Sequence, residues 1–327
     1  MILSLKALAR SIKILKPDCP EPAAKVIEQV LLARLKKMCA LRDHALAWAN
    51  HNGVHDMRVA SRRLRSAISD FQPYLPKDSL PLSELKTIAN HLGAVRDEDV
   101  VLAALSDLKS KADPDLRKGV EVIAREHRNR RKRARAGLES VIGSDSIAEF
   151  RKEFRSKIRE ATRSSPDDAD LTFNKVGVRV IGGRLKQLSK EGDSVYHPLK
   201  AKRLHKLRIV AKKLRYALEL FAPCGGEEFK DFADEIARFQ TSLGELHDCD
   251  VWIDHLETRL KSNRKLRRPA GRQVWRDNDV AVWLLHHFVS ERTKHYCYAL
   301  ARWHKWENEG FLDRIKALLN NDFIAVS

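Results

Sequence analysis

HDMRVASRRLRSAISDF, residues 55–71, and HKLRIVAKKLRYALELF, residues 205–221, align without a gap at an offset of 150. They share His, Arg, Leu, Arg, Ala and Phe, and most other positions are exchanges such as Met/Leu, Val/Ile and Arg/Lys. At about 100° per residue, Met57, Ala60, Leu64, Ile68 and Phe71 gather on one helix face, a seam made for packing in a bundle. His55, Arg58, Arg62 and Arg65 form a second stripe roughly opposite. In the later copy Leu207, Leu214, Leu218 and Phe221 carry the seam, while His205, Arg208, Lys212 and Arg215 carry the basic stripe. A solvated helix face normally mixes acids with bases at i,i+4 spacing, which stabilises the helix. Residues 57–68 hold no acid at all. Like charges one turn apart cost stability, so this stripe calls for an anion from elsewhere.

Outward from these segments the chain reads as helix after helix. Apolar spacing predicts helices over about 22–49, 53–71, 83–108 and 116 to beyond 138, with Asn52-Gly53, Pro73, Pro76 and the KADPDL stretch as breaks. The cycle restarts with helices near 171–190, 198–221, 227–257 and 277–308, separated by PCGGEE and a basic Pro-Ala-Gly loop. LGAVRDEDV at 92–100 recurs as LGELHDCDV at 243–251, an offset of 151. Two motifs related by nearly one offset identify an internal duplication. Four helices with short connections in each copy imply two antiparallel four-helix bundles. The boundaries are an N-terminal extension at 1–21, a first half at 22–162, a joint at 163–170 (around RSSPDDAD) and a second half at 171–320.

Composition narrows the function. Only 14 Gly and 11 Pro in 327 residues suit an all-α chain, and 32% charged residues with 43% hydrophobic ones suit a folded one. No apolar run approaches the ~20 residues of a membrane span. The first 20 residues make a poor secretion signal. Five scattered cysteines, with no CxxC pair, suggest neither a disulfide framework nor a zinc ribbon, and the expected location is the reducing cytoplasm. A net charge of +18 implies a polyanionic partner, with nucleic acid, anionic membrane and phosphate polymer all open on charge alone.

Two further seams carry bases among apolar residues. One steps through Val120, Ala124, His127, Arg131, Ala134, Leu138 and Val141; the other through Leu285, Val289, Arg292, Tyr296, Ala299, Trp303 and Trp306. An inward guanidinium is costly unless paired or hydrated, and a water-filled basic cleft would relieve it. His127, Arg131 and Arg292 are therefore further candidates for anion contact.

The signature His-x-x-Arg-Val/Ile-x-x-Arg/Lys-Arg/Lys-Leu-Arg at 55–65 and 205–215, with Leu-Gly-x-x-x-Asp-x-x-Val at 92–100 and 243–251, resembles the CHAD (conserved histidine α-helical domain) family over roughly residues 22–320. The resemblance implies two four-helix subdomains related by pseudo-twofold symmetry around a basic channel. It also implies non-catalytic binding of inorganic polyphosphate, with targeting to polyphosphate granules or their organisation. Carried over by position, the phosphate contacts are His55, Arg58, Arg62 and Arg65 with His205, Arg208, Lys212 and Arg215. Arg63 and Lys213 also match the signature but point nearer the seam edge. Asp97 and Asp248 would orient basic side chains. No cofactor or metal is implied.

Two rivals remain. His55-Asp56 and HDCD at 247–250 invite comparison with metal-dependent phosphohydrolases, but the partner of His55-Asp56 in the repeat is His205-Lys206, which lacks the acid. REHRNRRKRAR at 125–135 and KSNRKLRRPAGR at 261–272 suit nonspecific nucleic-acid binding. Aromatics make up only 7% and fall mostly at seam positions, not between arginines as stacking platforms. Weak competition by nucleic acid is the expected extent of that activity.

Overall fold

The computed structural model describes residues 19, 21–49, 52–164, 171–265 and 272–321. The PDDAD part of the joint and most of the 1–21 extension lie outside them, as do residues 266–271 of the second basic run. The described residues are all-α and contain no strand, only an isolated antiparallel bridge between Pro22 and Thr172. In chain order the helices are α1 (Ala23–Ala40), α2 (Arg42–Leu46), α3 (Gly53–Phe71), α4 (Leu82–Lys111), α5 (Pro114–Val141), α6 (Ser144–Arg163), α7 (Phe173–Glu191), α8 (Ala201–Lys265), α9 (Arg272–Asn308) and α10 (Phe311–Asn321).

Four features differ from the periodic reading. The first helix ends at Ala40, and the short α2 then crosses Gly53 so closely that a Cβ there would sit 1.8 Å from the His44 carbonyl oxygen. Only glycine admits that approach. The fourth predicted helix, from about 116 past Leu138, is α5, which ends at Val141. An unpredicted helix, α6, follows, with Gly143 as its cap and Asp145 in its first turn, where the helix dipole favours an acid. A last helix, α10, buries Phe311, Ile315 and Leu319 after Gly310 turns the chain with φ +59°. The predicted turn at PCGGEE is a sharp kink inside α8. Pro223 removes a backbone donor, and Gly226 takes φ +69°, a conformation that disfavours any side chain.

The five cysteines also depart from expectation: Cys19 and Cys224 form a disulfide, which fastens the segment before α1 to the α8 kink. Cys39, Cys249 and Cys297 are free.

Helices at matching positions of the repeat touch one another: α1 meets α7, α3 meets the first limb of α8, and α5 meets α9. The seam residues Met57, Leu64, Ile68 and Phe71 are 0–2% exposed, and Leu207, Leu214, Leu218 and Phe221 are fully buried. Burying such a side chain contributes about 1.5–3 kcal/mol. Phe71 and Phe221, 150 positions apart, meet edge to face at 6.3 Å, and Phe173 packs on both. Arg184 on α7 donates to Asp70 on α3 at 2.6 Å, inside this contact.

Two apolar clusters result, and each draws on both sequence halves. The larger holds α1, α3, α7 and the first limb of α8; it takes residues of α4 up to Val95, of the second α8 limb up to Leu246, and of α9 from Ala299. The smaller holds Leu105, Leu108, Val120, Ile123, Cys249, Trp252, Leu256, Val280, Leu284 and Phe288. On α9 the seam runs through Phe288, leaving Val289 46% exposed, one position off the sequence reading. Between the clusters lies a polar belt, and both copies of the LGxxxD motif run into it.

Candidate polyanion-binding site

The belt begins with the contact of α3 and α8, which brings the two basic stripes face to face. Lys212 on α8 is within electrostatic reach of Arg208 on its own helix and of Arg62, Arg58 and Arg65 on α3. Burial first, and then these four cations, push its ammonium from the usual 10.5 down to about 8. Burial likewise lowers Arg62, which faces Arg58, Arg215 and Arg208. Among the described residues, Arg62, Arg65, Arg208 and Lys212 make no salt bridge. The Nε atoms of Arg62, Arg208 and Arg215 are buried with no hydrogen-bond partner. A buried orphan donor costs about 1–3 kcal/mol, more when charged, so an acceptor brought to these atoms would be favourable.

Acids take up the remaining signature bases. Arg63 pairs across the halves with Glu219 at 3.0 Å, and Arg215 reaches the same carboxylate at 3.2 Å while lying over the Tyr216 ring. Lys213 sits near Asp70. Arg58 is 3.7 Å from Asp97, a loose contact. Asp248 feels Arg208, Asp97 and Arg58 together, so the motif carboxylates border the arginines of both copies. The motif glycines complete the arrangement. A Cβ on Gly93 would lie 3.9 Å from Arg58 Nε, and one on Gly244 would lie 3.5 Å from Arg208 Nε. Both are ordinary van der Waals distances, so each glycine lies beside the signature arginine of its own copy without a steric need to be glycine.

His55 faces Arg96, Arg62 and Arg58, and burial with these cations holds its imidazole below the ordinary range. In the second copy His205 meets His247, Nδ1 to Nδ1 at 3.2 Å. Sequence reading met His247 as the exchange for Arg96 in the aligned motif and in the HDCD cluster, but did not count it among the anion contacts.

The three inward bases do lie in the belt, but a hydrated cleft is not what compensates them. His127 is buried with Nδ1 2.7 Å from Glu98 and its ring against Trp252 and His255. Arg131 and Arg135 converge on Asp99. Arg292 pairs with Asp250 at 2.6 Å and donates to the Pro198 carbonyl. Neighbouring acids on α4 and α8 supply the counter-charge that the seam pattern alone leaves out.

Among the described residues, no three His, Cys, Asp or Glu side chains come together as a metal site, and no helix is long and apolar enough to cross a membrane. A shallow surface cavity of about 500 Å³ on α6, lined by Arg151, Lys152, Arg155 and Arg159, shares no residue with the belt.

The fold is similar to the crystal structure of the CHAD domain from the plant Ricinus communis. The TM-score is 0.68 at 18% identity, with 88% of this chain and 93% of that one covered. Two uncharacterized proteins of Mycobacterium tuberculosis are 29% and 28% identical over 248 residues, 73% of this chain. The chain spans 46% of the length of these relatives. The model of the CHAD domain matches residues 29–257, which include both signature segments and both LGxxxD motifs. The chain belongs to the CHAD domain family.

Proposed function

We propose that this protein binds inorganic polyphosphate, without acting on it chemically, in a basic channel between two duplicated helical halves. The halves span residues 22–162 and 171–320, related by a pseudo-twofold axis. One observation carries the reading: Arg58, Arg62, Arg65, Arg208 and Lys212 are drawn together from both halves with little acid among them. The guanidinium fork suits two phosphate oxygens at once, and a flexible phosphate chain satisfies many such donors together. The meeting of Phe71 with Phe221, and of Pro22 with Thr172, supports the axis, because each pair occupies matching positions of the repeat. His55, His205 and Arg215 complete the contact set, and Asp97 and Asp248 orient the arginines. Of the other candidates, Arg63, Lys213, His127, Arg131 and Arg292 tune the field from their acid pairs. Through this channel the protein attaches to polyphosphate granules.

Filter binding with long-chain polyphosphate tests the reading. Replacing Arg58, Arg62, Arg208 and Lys212 with Ala is expected to abolish retention while far-ultraviolet circular dichroism stays helical. Duplex DNA at equal phosphate concentration is expected not to displace the polymer. Unchanged affinity in the quadruple variant, or ready displacement by DNA, refutes the proposal.

A further inference from the structure

The aligned motifs carry Arg96 in the first copy and His247 in the second, and this exchange gives the second half a feature of its own. His205 and His247 approach Nδ1 to Nδ1 at 3.2 Å, with ring centroids 4.1 Å apart, and both rings are half-buried. Neither Nε2 has a hydrogen-bond partner among the described residues. We propose that His247 joins His205 as a phosphate-contacting pair that takes up one proton when the anion binds. The second half's grip is then proton-coupled where the first half relies on the fixed charge of Arg96. This rests on the polyphosphate reading above.

The proton count follows from the tautomers. In a neutral pair, the shared contact needs one Nδ1–H donating to the other Nδ1. The donating ring then has a bare Nε2 lone pair, which repels a phosphate oxygen, and only its partner offers Nε2–H. Adding one proton turns the donating ring into imidazolium. Both Nε2 atoms then carry hydrogen, the Nδ1–H···Nδ1 bond survives, and the pair bears one positive charge. A second proton would set two Nδ1–H groups against each other and break the contact. One proton is therefore the number that serves an anion best.

The surroundings hold the empty pair neutral. Arg208 and Lys212 face His205; Arg208 and Asp250 face His247. Asp250 is itself held by Arg292 from α9. Across the half boundary, Arg58 and Asp97 reach the neighbouring Asp248. Burial, and then the neighbouring positive charge, pushes His247 down to about 4 and His205 below its ordinary value. A bound polyanion reverses the local field and raises both.

The test is isothermal titration calorimetry with long-chain polyphosphate in buffers of different ionisation enthalpy, on the wild-type chain and on His247→Arg. The wild type is expected to take up about one proton more than the variant. Between pH 7 and 5 its affinity is expected to rise up to about tenfold more per pH unit, the linkage of one proton. His55 and Lys212 titrate in both proteins and cancel in the difference. His205→Gln/His247→Gln, which removes both imidazoles so that neither can take the proton, is expected to show the same loss and serves if the arginine variant loses helical content. Equal proton uptake in wild type and variants overturns the proposal while polyphosphate binding stands. Absence of wild-type binding at every pH instead removes the reading beneath it.

Discussion

Lys212→Met isolates the cost of holding the basic stripes together without a guest. The native ammonium is held at about 8 against an ordinary 10.5, so its charge is disfavoured in the folded chain. At 1.36 kcal/mol per unit, that difference amounts to roughly 3 kcal/mol of stability withheld by one side chain. The sign is fixed by linkage: a lowered folded-state value means the penalty is fully present below pH ~8 and fades as pH rises toward 10.5. Methionine retains the unbranched stem and removes the charge. At pH 7 the variant without ligand is expected to unfold at a temperature roughly 6 °C higher, taking about 2 °C per kcal/mol for a chain of this size. The gain is expected to vanish near pH 10.5. Polyphosphate at 100 times its Kd should stabilise the wild type by about 2.7 kcal/mol, and the variant by distinctly less at the same concentration, since its affinity is reduced. Differential scanning fluorimetry across pH, with and without polymer, measures all three. An unaltered or lower midpoint for the unliganded variant at pH 7 would refute the reasoning, because burial and the neighbouring cations would then not be disfavouring the Lys212 charge.

Three further outcomes follow from the geometry. If Arg58, Arg62, Arg65, Arg208, Lys212 and Arg215 all neutralise phosphates, a plot of log affinity against log salt should fall with a slope of about −4, read from filter binding at several ionic strengths. Arg184→Ala should destabilise the chain by about 3–5 kcal/mol in urea unfolding, because Asp70, with its side chain 1% exposed, would be left as an unpaired buried charge between α3 and α7. Reducing Cys19–Cys224 should lower the thermal midpoint. The bond spans 205 positions, and chain entropy puts its contribution at about 5 kcal/mol, so Cys19→Ser should match the reduced wild type.

Helix faces were readable because their period is local. Met57, Leu64 and Phe71 recur at steps that only a helix turns to one side, and the repeat at 205–221 gave an independent second reading of the same face. The cationic pool was readable for a related reason: twelve residues without an acid leave no intrahelical partner for Arg58, Arg62 or Arg65. The partners of His127, Arg131 and Arg292 were hidden, since Glu98, Asp99 and Asp250 belong to other helices and meet these bases only through packing. As a partner of His205, His247 was hidden in the same way, 42 positions away and brought back to it by the α8 kink. The disulfide was least legible, because nothing near Cys19 or Cys224 in the chain announces the other. Helix α6, by contrast, lay in plain view, with Gly143-Ser144-Asp145 as its start signal and Ile147, Phe150, Phe154 and Ile158 at helical spacing, but the reading of the first half stopped at four helices.

Apolar contacts join the two sequence halves on both sides of the polar belt: Phe71 meets Phe173 and Phe221 on one side, and Val120, Ile123 and Ala124 share a cluster with Val280, Leu284 and Phe288 on the other. Swinging the halves apart would expose apolar surface on whichever side yields. If the belt holds polyphosphate as proposed, its cations are already gathered by packing before the polymer arrives, so the cost of assembling them falls on folding and not on binding.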